Sequence, residues 1–177
     1  ESMPKSTIMR SLHVPPRRFK FQMWILKKLG YQGLSVRRLR PYLDGEKNGK
    51  VVGITFDDGY QNILLNAAPI LKKYNFSATC YIVSESVGSS NTWDLNNGIT
   101  QRALMTETEI NSWLELGMDI GGHTKTHADL TTISKLQAQN EISDCKSELE
   151  KKYKVKVTDF CYPFGRFNEL VCNMTKD

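Results

Sequence analysis

Long hydrophobic runs are missing from this chain of 177 residues. No uninterrupted apolar stretch approaches the roughly 20 residues that a membrane-crossing helix needs. Glu1 to Arg10 also lacks the apolar centre of a signal peptide, so neither a span nor a leader is expected. Cysteine is scarce: Cys80, Cys145, Cys161 and Cys172 form no Cys-x-x-Cys pair. That spacing argues against a zinc knuckle or dithiol motif and for free thiols packed as small hydrophobes. Repeats and low-complexity tracts are absent. The formal net charge is only +5, with basic residues dispersed over Arg17 to Lys50, Lys72 and Lys73, and Lys151 to Lys156. Without a basic stripe interleaved with aromatics, no nucleic-acid partner is expected.

What the chain does contain is a rhythm of short apolar runs followed by amphipathic segments, in a length suited to one domain with a real core. Phe19, Met23, Leu26 and Leu29 fall at helical spacing, with Gly30 as a C-terminal cap. Ser35 is placed to cap a short helix containing Val36, Leu39 and Leu43, against the presence of Pro41. Val51 to Thr55 reads as a strand leading into Phe56-Asp57-Asp58-Gly59. Ala67, Ile70, Leu71 and Tyr74 suit a helix, and Pro69 confines its start to about Asn66. Ala78 to Val83 is the next strand. Thr106-Glu107-Thr108-Glu109 is a capping box ahead of Ile110, Trp113 and Leu114, ended by Gly117. Met118-Asp119-Ile120 is a brief strand running into Gly121-Gly122-His123. A long helix then carries Ala138, Ile142, Cys145, Leu149 and Tyr153 on one face, and Asp159 to Tyr162 reads as a last strand.

Strands alternating with helices predict an α/β protein with a mainly parallel sheet, closed or open. The polar motifs Asp57-Asp58, His123 to His127 and Pro163-Phe164-Gly165 each follow the C-terminal end of a predicted strand. Sites in parallel α/β folds assemble at that edge.

Asp-Asp-Gly is also good turn chemistry. Adjacent carboxylates nevertheless leave the backbone in different directions, so one can hold a metal while its neighbour faces a water. Histidine is sparse, with three in the chain, and two of them make the pair His123 and His127. Four residues apart, they would share a face if they lay on a helix. One carboxylate and two imidazoles form a three-ligand site with open positions; zinc is the default occupant, and the same set binds iron, cobalt, nickel or manganese.

Thr55-Phe56-Asp57-Asp58-Gly59 and His123-Thr124-Lys125-Thr126-His127 resemble the first two motifs of the polysaccharide deacetylases, the NodB-homology domains of carbohydrate esterase family four. Phe160-Cys161-Tyr162-Pro163-Phe164-Gly165 resembles the third. The resemblance implies a distorted (β/α) barrel, incomplete at its C-terminus, over residues 19–177, with residues 1–18 as an N-terminal extension. It implies Asp58, His123 and His127 as metal ligands and Asp57 as the general base. Pro163, Phe164 and Gly165 match the groove wall, with Tyr162 lining the groove or packing beside it. The metal would polarise both water and acetamide carbonyl, Asp57 would take the water's proton, and a backbone N–H would help hold the oxyanion.

The implied function is metal-dependent hydrolysis of N-acetyl groups from acetamido sugars in a poly- or oligosaccharide, and the implied place of work is the cell envelope or outside the cell. Two departures from the family stand out. Many members carry an Arg where this chain has Cys161. The family's later motifs, including a leucine-flanked general-acid histidine, are expected beyond Asp177; His13 resembles a familial N-terminal histidine and not that acid. These 177 residues are therefore expected to bind metal but turn over slowly. Three rivals share parts of the pattern: a hydrolase of another C–N bond, a non-haem iron oxygenase, and a deacetylase-like domain that only binds glycan or serves as a scaffold. The oxygenase fits poorly, since its ligands usually sit close together in an all-β fold. Trp93 lies in a Ser/Asn-rich loop, Ser89 to Asn97, either anchoring that loop to the core or stacking on a sugar. The particular polymer and the oligomeric state are not legible.

Overall fold

The computed structural model describes residues 14–97 and 99–176. His13, and with it most of the segment read as an N-terminal extension, lies outside the described residues.

The chain alternates helix and strand as its periodicities require. Helix α1 (Pro16–Lys28) opens with proline in its first turn, where the missing N–H costs nothing. It closes as expected on Gly30 at φ 80°. The Tyr31 N–H reaches back to the Leu26 carbonyl at 2.9 Å, closing a Schellman turn. Strand β1 (Gln32–Leu34) and helix α2 (Val36–Leu43) follow. The run read as one strand is two, β2 (Val51–Gly53) and β3 (Thr55–Phe56), hinged at Ile54. β2 pairs in parallel with β1, and β3 pairs in parallel with β4 (Thr79–Ile82). β4 in turn pairs with β5 (Asp119–Gly122), also in parallel. Ile54 joins the two ladders, its N–H bonding the Leu34 carbonyl at 2.9 Å and its carbonyl the Thr79 N–H at 3.0 Å. One strand thus bends from one sheet into the other.

Three local readings are corrected. The helix placed at Asn66 begins earlier, through a π turn at Ile63–Ala67 that runs into α3 (Ala68–Tyr74). A proline ring at position 69 would crowd the carbonyl four residues back in a regular helix, and the wider π turn relieves this. Asp159 to Tyr162 forms a single parallel bridge, Phe160 to Gly122, instead of a strand. Ser35 precedes α2 as predicted, but its hydroxyl does not cap the helix. It donates to Asp119 Oδ2 at 2.5 Å, and Asp119 also takes an ion pair from Arg37.

Helix α4 (Glu107–Glu115) carries the predicted capping box, Thr106 with Glu109. Helix α5 (Lys135–Tyr153) buries the face read from its spacing: Ala138, Ile142, Cys145, Leu149 and Tyr153. The last helix, α6 (Glu169–Met174), is capped by the Asn168 side chain. The main core gathers Leu71, Ala78, Cys80, Ile82, Trp113, Ile120 and Leu149 between sheet and helices. Trp113 is fully buried, and its indole N–H donates to the Asp119 carbonyl at 2.9 Å, so the large ring leaves no polar atom unpaired. A second cluster of Leu130, Ala138, Ile142, Val171 and Met174 sits at the far end of α5, which therefore ties both together.

Candidate metal centre

The first two sequence motifs each end a parallel strand on the same edge of the sheet, and the third follows the parallel bridge of Phe160 to Gly122. After β3 the chain turns sharply through Asp58 at φ 70° and Gly59 at φ 80°. This turn divides the two carboxylates: Asp57 is exposed toward the cleft, while Asp58 is half-buried and points at the histidines. After β5 the backbone runs through His123 and bends at Thr124 (φ 63°) and His127 (φ 65°). The histidine pair therefore sits on a bent loop, not on one face of a helix. Tertiary contacts do the work that helical spacing was expected to do.

That loop is clamped from two sides. Ser84 and Glu85, just beyond β4, donate their N–H groups to the carbonyls of Thr124 and Lys125. On the α5 side, the Glu141 carboxylate accepts the backbone N–H groups of Lys125 and Thr126 at 2.9 Å each, and the Thr126 hydroxyl at 2.8 Å. Lys125 Nζ lies 3.3 Å from Asp144 and 3.2 Å from Glu148.

The third motif reaches the site because of the glycines before His123. A Cβ on Gly121 would stand 2.5 Å from the Tyr81 ring and 2.8 Å from the Asp159 carbonyl. With only hydrogen there, the Asp159 to Cys161 segment lies against β5, exchanging N–H···O bonds with Gly122 at 2.9 and 3.0 Å. Cys161 is thereby set beside His123.

The donor atoms converge. Nε2 of His123 and Nε2 of His127 are each 3.2 Å from Asp58 Oδ1, and the three ligand atoms all lie within 4.8 Å of one another. His123 Nδ1 donates to the Cys161 carbonyl at 2.8 Å, which turns its Nε2 to the carboxylate, to carry a proton when no ion is bound and a ligand lone pair when one is. Two imidazole lone pairs and an anionic oxygen aimed at one point repel each other unless a cation lies between them. The acid–base balance reflects this. Burial raises the Asp58 carboxyl, but hydrogen bonds from both imidazoles outweigh it and hold the group well below the usual carboxylate range. Burial likewise opposes charging of His123, yet the Asp58 carboxylate and the Cys161 carbonyl push it up to about 10. The donor set and its geometry fit a divalent ion with three protein ligands and open positions.

The ligands sit in a cleft of about 750 Å³ whose walls include Asp57, Tyr60, Trp93, Tyr162, Phe164 and Gly165. Of the predicted wall residues, Pro163 is buried beneath and Phe164 projects with 53% of its surface exposed. Tyr162 does both things expected of it: it lines the cleft and packs on Phe160 and Phe167, with its hydroxyl 2.6 Å from Thr175 Oγ1. Trp93 neither inserts into the core nor stands free. Its ring stacks on His127, with centroids 4.4 Å apart and planes at 18°. Tyr60 and Glu141 were not singled out from sequence. The signal for Tyr60 is its place two residues after Asp58; Glu141 sits on the polar side of α5 and gives none. Cys80 and Cys145 are buried thiols as expected, while Cys161 and Cys172 are half-buried. Burial pushes the Cys145 thiol up to about 11.

Residues 44–177 match the family model for polysaccharide deacetylase. The chain belongs to that family. It is 32% identical over 161 residues to YxkH of Bacillus subtilis, a polysaccharide deacetylase by name, covering 90% of this chain and 53% of that one. It is 28% identical over 170 residues to the poly-β-1,6-N-acetyl-D-glucosamine N-deacetylase of Staphylococcus epidermidis, covering 90% of this chain and 56% of that protein. Among solved structures, the Streptococcus pyogenes deacetylase PplD in complex with acetate superposes with a TM-score of 0.78 at 26% identity. That match covers 98% of this chain and 74% of PplD. The fold is accordingly the distorted (β/α) barrel of the family. The chain spans about half the length of the curated relatives it matches. Among the described residues, no helix is long and apolar enough to cross a membrane.

Proposed function

We propose that this protein is a metal-dependent N-deacetylase acting on acetamido sugars of a poly- or oligosaccharide. Asp58, His123 and His127 would be the ligands and Asp57 the general base. The observation that carries this reading is the convergence of Asp58 Oδ1 with both Nε2 atoms at 3.2 Å, in a cleft that Asp57 also lines. The similarity to a poly-β-1,6-N-acetyl-D-glucosamine N-deacetylase makes that polymer the first candidate substrate. The preferred ion is zinc, whose three-ligand open sites use this donor set; iron, cobalt, nickel and manganese are the competitors.

A divalent ion bound here supplies Lewis acidity toward a carbonyl and makes water a better acid. The rest falls to the chain's own residues. Asp57, exposed to the cleft and one residue from a ligand, removes a proton from the attacking water. Cys161 keeps His123 in the tautomer that presents Nε2. Phe164 and Tyr162 wall the sugar against solvent and limit its approach, and Tyr60 lines the same cleft beside Asp58.

Metal content and acetate release, measured together on wild type and His123→Ala with β-1,6-linked N-acetylglucosamine oligomers, test the reading. Bound metal lost in the variant, with metal-dependent acetate release, is the expected result. Metal binding without acetate from any acetylated sugar would leave a glycan-binding domain, and absence of metal from the wild type would overturn the site.

A further inference from the structure

His123 and His127 are held in different ways. The second nitrogen of His123 is fixed by a carbonyl at 2.8 Å. His127 Nδ1 is buried, and no described protein group lies within hydrogen-bonding reach of it. A metal-binding histidine ordinarily gives its second N–H to a carboxylate, carbonyl or water, and that bond sets the plane of the ring. Here the plane is set by arenes. Trp93 lies nearly parallel to the imidazole, and Phe164 meets it edge-on with centroids 4.7 Å apart and planes at 77°.

Both arenes are placed by braced backbone. Two residues before Trp93, Asn91 is fully buried. Its amide donates to Asp94 Oδ2 at 2.9 Å, and its carbonyl oxygen accepts the Arg102 N–H at 2.7 Å. An antiparallel bridge between Ser90 and Ala103 closes the loop below. Phe164 sits at φ 59°, a region that a bulky side chain rarely adopts, and such strain persists only where the surroundings enforce it. Buried Pro163 and the Gly165 N–H bonded to the Tyr162 carbonyl at 3.0 Å hold it there.

We propose that Trp93 is a positioning residue for His127: its indole face, with the edge of Phe164, orients the imidazole in place of the missing hydrogen bond and keeps Nε2 aimed at the shared ion. The inference rests on the metal-site reading above. Stacking restrains the tilt of the ring and shields it from water, and tilt is the freedom that an unbonded Nδ1 would leave open. Any sugar contact made by Trp93 would have to use the face turned away from His127.

The test uses the full chain with Trp93→Ala, Trp93→Leu and Trp93→Phe, probed with zinc and cobalt alone. Trp93→Ala and Trp93→Leu should weaken zinc binding by about 10- to 100-fold, the usual effect of removing a ligand's orienting partner. Trp93→Phe should restore most of the affinity. The visible cobalt spectrum should change in the Ala and Leu variants and not in Phe, while the thermal midpoint of metal-free Leu and Phe variants stays alike. In metal-free protein, the upfield ring-current shift of the His127 imidazole protons should vanish in Trp93→Ala. If the Ala variant fails to fold, Leu against Phe decides, since both fill the space and only Phe offers a π face. Unchanged zinc affinity in the Leu variant would overturn the role of Trp93 while leaving the site intact. Wild type that binds no zinc would sink the site reading itself, and this inference with it.

Discussion

Nδ1 of His123 donates to the backbone carbonyl of Cys161 at 2.8 Å, so a strand-end ligand is oriented by the main chain of the third motif and not by a side chain. The acceptor is the main-chain carbonyl of Cys161, so the bond does not depend on the thiol. Cys161→Ala should therefore retain zinc affinity within a small factor, whereas His123→Ala should abolish tight binding. Isothermal titration of both variants with zinc separates the two; a large loss in Cys161→Ala would show that the thiol itself takes part.

The metal-free site prefers a proton where the ion would sit. His123 has its folded pKa raised to about 10, so the stability it contributes is complete below its unfolded value of about 6.5 and is lost as pH rises toward 10. Asp58 is lowered, so its contribution holds above about pH 4 and fails only in strong acid. In EDTA the melting temperature should fall steadily from pH 7 to 10. Zinc affinity should rise over the same range, because metal and proton compete for Nε2. A flat melting temperature across that window would contradict the coupling of His123 to Asp58.

Glu141 is the anchor of the histidine loop, accepting two backbone N–H groups and one hydroxyl. Glu141→Ala should cost about 1–3 kcal/mol in urea unfolding, since two donors lose a charged acceptor at a partly solvated surface. Zinc binding should weaken in parallel. Glu141→Gln, which keeps an acceptor oxygen, should recover part of both; equal losses in Ala and Gln would assign the effect to charge alone.

Gly121 has no room for a side chain. Gly121→Ala would press a methyl group against the Tyr81 ring and the Asp159 carbonyl. The carbonyl cannot rotate away without breaking the contact between β5 and the third motif. A loss of about 1–3 kcal/mol or more is expected. Weaker zinc binding should accompany it, as Cys161 is pushed off His123. A variant of undiminished stability would mean that this segment shifts freely.

Much of this protein was determined locally. The burying face of α5, the Thr106–Glu109 capping box and the Gly30 helix end each depend on residues within a turn or two of each other, so periodicity and capping chemistry specify them in any surroundings. The placement of Asp58, His123 and the Pro163-Phe164-Gly165 turn at one edge also follows, because parallel strands send their C-terminal ends the same way. Tertiary structure decided the rest. Val51 to Thr55 became two strands because Ile54 must pair with β1 on one side and β4 on the other, a demand invisible in the run itself. The Asp159 to Tyr162 segment shrank to one bridge, because after its exchange of bonds with Gly122 the chain turns away at Pro163. Above all, the geometry of the ligands was not in their spacing: His123 and His127 converge through left-handed bends held by Glu141, and His127 is oriented by a tryptophan 34 residues upstream. Such contacts join residues far apart in the chain, and no local rule relates them.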